Sequence, residues 1–205
     1  MTTFSIATMK FRMGLSNVSL ALAGSDDIPA LQCIKLSWSQ EATFLRLEAT
    51  DRYRLFRHDI PMVNREITED GSFLLAGDTA RNWLKTLPKQ DACTFTLNDS
   101  VLEVEIPDGT LLRTGSVVAD FPKVGHFLTD FVPASDGVIP TQFGFNPVYL
   151  ASYSKLVDDR GRRVKEALEF TTPKSGATLR GYRIRSTNAG LEGFDSILMP
   201  VRLDK

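Results

Sequence analysis

The chain has 205 residues, 42% of them hydrophobic and 24% charged, with a formal net charge of −1. Those figures suit one large soluble domain or two smaller ones with a sizeable core. The near-neutral balance argues against a protein that coats nucleic acid with its whole surface, although it leaves room for one basic face, because local charge governs attraction to phosphate.

The N-terminus, Met1-Thr-Thr-Phe-Ser-Ile6, has neither the basic start nor the apolar stretch of a signal peptide. No apolar run is long enough for a transmembrane helix. The expected compartment is the cytoplasm, with no membrane contact. In the segment Met9 to Ala23, Phe11, Leu15, Val18 and Leu22 fall on one helical face, and Ser25-Asp-Asp-Ile-Pro29 ends the helix. Strands are expected at Gln32 to Ser39, Thr43 to Thr50 and Tyr53 to Ile60. In the second of these, Leu45, Leu47 and Ala49 alternate with Arg46, Glu48 and Thr50, the period of a half-buried strand.

A second unit repeats the order. Ser72 to Ala76 reads as a short strand, and Asp78 as the N-cap of a helix Thr79 to Leu87 that Pro88 ends. Thr94 to Leu97 and Val101 to Ile106 form a hairpin around Asn98-Asp99, followed by a strand over Thr110 to Val118. A third unit opens with Gln142 to Phe145. Asn146-Pro147 then supplies an N-cap and first-turn proline for a helix through Tyr149, Leu150, Tyr153 and Leu156. Strands follow around Ala167 to Thr171, Ala177 to Arg185 and Ser196 to Leu203. The spacing of the units, roughly 65 residues, predicts an internal repeat. Residues 129–140, rich in Pro, Gly, Ser and Asp, read as a linker. The expected organisation is therefore a complete two-unit domain over 1–128, the linker, and a half domain over 141–205. Cys33 and Cys93 have no metal-type spacing and sit beside apolar residues, which predicts buried free thiols.

Several strings in this frame resemble the bacterial DNA sliding clamp, the beta subunit of the replicative polymerase. Ala49-Thr-Asp-Arg-Tyr-Arg-Leu55 resembles that family's Ala-Thr-Asp-Gly-X-Arg-Leu. Asp120-Phe-Pro122 resembles the Phe-Pro that closes a clamp domain. Phe145-Asn-Pro-Val-Tyr-Leu150 resembles the start of its last helix, and Leu198-Met-Pro-Val-Arg-Leu203 its C-terminal strand. Ala7-Thr-Met-Lys10 is similar to the start of its middle domain. The resemblance covers nearly the whole chain, as the middle domain plus the second half of the last. It implies an α+β DNA-clamp fold of strand, helix and three-strand units, with the helices on one face of antiparallel sheets.

The resemblance also implies a pocket for short linear peptides from DNA polymerases and other DNA-handling proteins. Its wall would be Thr50, Arg52, Tyr53, Arg54, Leu55, Pro122, Asn146, Tyr149, Met199, Pro200, Val201, Arg202 and Leu203. Such Met, Val, Leu, Pro and Tyr side chains suit an adaptable slot for Leu and Phe, with Arg and Asn free to hold peptide backbone or a Gln. Equally, Met199 to Leu203 reads as an ordinary core strand. Arg52 stands where the family has Gly, and Asp204 and Lys205 run past its usual end. For double-stranded DNA, the implied contacts are non-specific and to the backbone: Lys10, Arg12, Arg81, Lys85, Lys155, Arg160, Arg162, Arg163 and Lys165, on or just after the three helices. A solvated helix surface explains the same charges.

Catalysis finds little support. His58 and His126 lie in no metal or nucleophile motif, and Asp26-Asp27 and Asp158-Asp159 read as turn chemistry. No catalytic residue, metal or cofactor is expected. The leading expectation is a processivity factor, served by a clamp loader and closed into a ring by self-assembly. Family rings hold twelve units, so chains of three units would need four copies. The alternatives are a non-ring module competing for clamp-binding peptides, a metal-dependent nuclease or phosphatase, and a structural protein with vestigial likeness.

Overall fold

Apolar residues at every second position draw the first strand, β1 (Thr2–Ala7), against a core: Thr2, Phe4 and Ile6 are buried and their neighbours are not. The chain turns directly into helix α1 (Thr8–Val18), then runs through β2 (Cys33–Trp38), β3 (Phe44–Thr50), β4 (Arg54–Pro61) and β5 (Val63–Glu66). The second unit is β6 (Gly71–Ala76), helix α2 (Gly77–Thr86), β7 (Ala92–Asn98), β8 (Val101–Glu105) and β9 (Leu111–Gly115). A short helix α3 (His126–Thr129) precedes the third unit, which holds α4 (Pro147–Ser152), β10 (Leu168–Thr171), β11 (Tyr182–Ser186) and β12 (Phe194–Leu198). This computed structural model describes residues 2–24, 28–89, 91–98, 100–134, 143–174 and 181–201.

All strands pair antiparallel in two sheets. One has the order β5-β1-β7-β8-β9 and the other β10-β11-β12-β4-β3-β2-β6. The first strand of each early unit crosses to the other unit: β1 lies on β7, and β6 lies on β2. Between the sheets sits one core that includes Phe4, Phe11, Phe56 and Phe95 from the first two units and Tyr153, Leu156, Ile184 and Phe194 from the third. Each such side chain contributes about 1.5–3 kcal/mol of burial. Helix α1 settles so close to the sheet that a Cβ at Gly14 would stand 2.5 Å from the Ile60 side chain.

The larger sheet is continuous from the second-unit strand β6 to the third unit because β12 pairs with β4, from Phe194↔His58 to Leu198↔Arg54. Further contacts lock this seam. Asn17, fully buried in α1, donates from Nδ2 to the Val157 carbonyl and accepts the Val157 N–H at Oδ1, both at 2.9 Å. Tyr153 Oη lies 3.1 Å from Ser196 Oγ.

Several expected boundaries change. Strands β1 and β5 are absent from the sequence reading, because short β1 finds its partner about ninety residues away. Asp78 is not the N-cap of α2: that helix begins at Gly77 after Ala76, and Asp78 in its first turn accepts from Arg81. The first helix stops at Val18 and continues as a 3-10 turn over Ser19–Ala21. Residues 129–134 of the expected linker begin in α3 and then pair with residues 172–174, while 135–140 lie outside the described residues, as do Asp26, Asp27 and Asp99. Cys33 and Cys93 are buried free thiols, and burial pushes Cys93 up to about 11. Among the described residues, no helix is long and apolar enough to cross a membrane.

His58 makes the seam sensitive to acid. Its Nε2 donates to the Glu192 carbonyl at 3.1 Å, its Nδ1 has no partner among the described residues, and burial lowers its pKa from 6.5 to about 4. The unfolded chain therefore takes up this proton first as pH falls. Stability should drop between pH 6.5 and 4 by on the order of 3 kcal/mol from this group alone. Urea unfolding of the wild type and of His58→Gln at pH 7 and pH 4.5 checks this: the pH dependence should be smaller in the variant.

Candidate functional site

The turn between β3 and β4 is built around one carboxylate. Asp51 accepts the N–H groups of Tyr53 at 3.1 Å and Arg54 at 2.8 Å, and its second oxygen receives the Arg54 guanidinium at 3.0 and 2.7 Å. Both partners of this ion pair are buried. The turn forces Arg52 into the left-handed region, φ 76°, which explains why glycine suits the position in the clamp string. It also throws Tyr53 outward, 51% exposed.

Helix α4 delivers the facing wall. Asn146 caps it by accepting the Val148 N–H at 2.9 Å, with Pro147 in the first turn. That start aims Tyr149 at the β3–β4 turn. Its ring stacks on Tyr53 with centroids 5.3 Å apart, and the Arg54 guanidinium sits 4.7 Å from the Tyr149 centroid. The end of the chain closes the third side: the Met199 N–H donates to the Tyr53 carbonyl at 2.8 Å, and the Val201 N–H to the Gly144 carbonyl at 2.9 Å. Val201 is 42% exposed and Val148 71%. Tyr53, Arg54, Asn146, Tyr149 and Val201 thus converge from three distant segments, while Met199 joins through its backbone N–H and packs its side chain with Leu55 and Ile197 on the opposite face.

Leu55 and the Met199 side chain, both expected in the wall, come together on the opposite face of the sheet beside the segment that holds Pro122. Thr50 is buried. Leu55 is buried under a lid on the far side, where Val124, Leu128 and the partly buried Phe121 pack on it and Ile197. Pro122 lies within that lid segment, its carbonyl accepting the Val124 N–H. Arg202 and Leu203 lie outside the described residues. Val148 and the lid aromatics were missed by the sequence reading; Val148 sits inside the quoted helix string, and its exposure is a tertiary fact.

The cations expected to face DNA are largely engaged within the chain. Lys10 pairs with Asp159 at 3.6 Å, Arg81 with Asp78 at 2.5 Å and Arg162 with Asp158 at 2.8 Å. Arg12 donates to the Leu84 and Leu87 carbonyls at the end of α2, and Arg163 to the Lys155 carbonyl. Lys85, Lys155, Arg160 and Lys165 are exposed. Burial alone would raise the Asp158 carboxyl, but N–H groups of Arg162 and Arg160 and the Arg162 guanidinium outweigh it and hold it below the usual range. Its oxygens are thus committed to the turn. Among the described residues, no three His, Cys, Asp or Glu side chains group as metal ligands.

No family model matches the chain, and no curated protein matches it. Solved structures do. The DNA polymerase sliding clamp of Bacillus subtilis superposes with a TM-score of 0.73 at 15% identity, over 98% of this chain and 64% of its own. The DNA polymerase III beta subunit of Thermotoga maritima gives 0.72 at 17% identity, over 100% of this chain and 66% of that one. The Helicobacter pylori beta clamp in complex with diflunisal gives 0.76 at 11%, over 98% and 66%. The fold is that of the sliding clamps, and the chain spans about two thirds of their length.

The Asp51–Arg54 pair carries the geometry of the Tyr53 turn. Asp51→Ala leaves a buried guanidinium without its counter-charge, so it should cost about 3–5 kcal/mol in denaturant unfolding, and the Tyr53–Tyr149 stack should loosen in near-UV circular dichroism.

Proposed function

We propose that this chain is a sliding-clamp-like processivity factor without catalytic activity. It holds double-stranded DNA non-specifically and receives short peptides from polymerases and other DNA-handling proteins at the β4–β12 seam. The observation that carries the reading is the convergence of Tyr53, Arg54, Asn146, Tyr149 and Val201 at that seam. Two stacked rings beside the exposed Val148 and Val201 offer apolar anchorage. The matched clamps from Helicobacter pylori with diflunisal and from Pseudomonas aeruginosa with griselimycin show that the same fold takes small ligands.

On this reading the chain works in the cytoplasm as a homo-oligomer, placed on DNA by a clamp loader. Four chains of 22.8 kDa would make a ring of about 91 kDa. DNA contact would come from Lys85, Lys155, Arg160 and Lys165, aided by the paired cations Lys10, Arg12, Arg81, Arg162 and Arg163. One observation favours a second reading, a non-ring module that competes for clamp-binding peptides: most of the expected DNA-facing cations already have partners within the chain.

The test is fluorescence polarisation with a labelled peptide carrying Gln, Leu and Phe anchors. Tyr149→Ala should weaken binding at least about tenfold while circular dichroism stays unchanged. Equal affinity in the folded variant removes the pocket. Light scattering then separates the two readings: a mass near that of four chains supports the ring, and one chain at all concentrations supports the competitor.

A further inference from the structure

The third unit ends in an open sheet edge. In the first sheet β7 is covered along its length by β1, with inward residues Phe4 and Ile6 opposite Phe95 and Cys93. The corresponding strand of the third unit, β10, has β11 on one side and, among the described residues, no strand on the other. Backbone groups alternate in direction along a strand. The Ala167 carbonyl accepts from the Thr187 N–H, so odd-numbered residues of β10 turn towards β11. Leu168, Phe170, Thr172 and Lys174 therefore turn outwards.

Half of that outward row is already taken. The Ala134 N–H donates to the Thr172 carbonyl at 3.0 Å, and the Lys174 N–H to the Val132 carbonyl at 2.9 Å, with Pro133 opposite Pro173. Residues 132–134 form a strap on the edge. The strap's own outer side falls at Pro133, which has no N–H to offer a further strand. Among the described residues nothing covers the outer edge at Leu168 and Phe170, and Phe170 is 41% exposed. Two residues are too short a run for stable strand addition.

We propose that the strap is a self-cap, and that its release opens the β10 edge to the same edge of a second copy of this chain. The register supports that occupant. In a two-fold antiparallel pair centred on Thr171, Leu168 faces Lys174 and Phe170 faces Thr172 in both directions, so every outward N–H and C=O on 168–174 finds a partner. Glu169 then faces Pro173 and meets no like charge. Val132 and Ala134 of the strap occupy the places that Leu168 and Phe170 of the second copy would take. Inner faces stay inner, so the apolar Phe170 of each copy lies on the core side, next to Phe145. The inference is independent of peptide binding at the seam, which lies on β4 and α4.

Ala134→Pro removes the strap's donor to Thr172 and leaves β10 intact. Sedimentation equilibrium over a range of concentrations should show self-association at least about tenfold tighter than in the wild type. Phe170→Pro deletes an outward N–H but none of the bonds to β11, so the double variant should return to the wild-type curve. A disulfide between Val132→Cys and Lys174→Cys should hold the strap shut and block association at this edge until reduced. Association unchanged by Ala134→Pro, or tightened association that survives Phe170→Pro or the oxidised disulfide, overturns the proposal. Peptide affinity, measured alongside, reports separately on the seam.

Discussion

The pairing of β12 with β4 is the contact on which the rest of the molecule depends. Without it β4 would be an open edge, and the described elements of the third unit, α4, β10, β11 and β12, would have little apolar surface to bury against one another. With it, Tyr153, Leu156 and Phe194 join the core built by α1 and the first two units. The same pairing fixes the distance between the β3–β4 turn and α4, so the Tyr53–Tyr149 stack and the Met199 to Tyr53 bond are consequences of the seam.

Register at the seam is guarded by charge. On the face away from the helices, Arg57 lies opposite Asp195 yet pairs with Glu48, while Asp195 accepts from Arg183 and Arg185. Arg46 is held by Asp59 through two bonds of 2.8 Å. A slip by one residue would turn these groups into the core and expose Phe56 and Ile60 in exchange. Buried pairs such as Arg57–Glu48 add little net stability against an apolar substitute, but losing one partner is expensive. Their value here is in excluding other pairings.

The helix face shows a different economy. Its arginines and lysines sit beside Asp78, Asp158 and Asp159, and Arg12 neutralises carbonyls at a helix end rather than facing solvent. Such partners lower the local potential without removing the donors, because exposed pairs are worth little and exchange readily for phosphate.

The sequence alone determined the class of each long element. The alternation of Leu45, Leu47 and Ala49, the apolar stripe of Phe11, Leu15 and Val18, and the Asn146-Pro147 helix start are local patterns, and local backbone chemistry is enough to read them. The strings at Ala49 to Leu55 and Leu198 to Leu203 also pointed to the sliding-clamp fold, which the solved structures share. Tertiary structure decided what those patterns could not contain. Short β1 becomes a strand only because β7 lies beside it, and Leu55 faces the lid instead of the seam because β4 places alternate side chains on opposite faces. Arg12 caps α2, and residues 132–134 cover half of an edge, for the same reason: partners far apart in the chain meet only once the sheets have closed. Periodicity reports which face a residue takes, and the fold decides what that face meets.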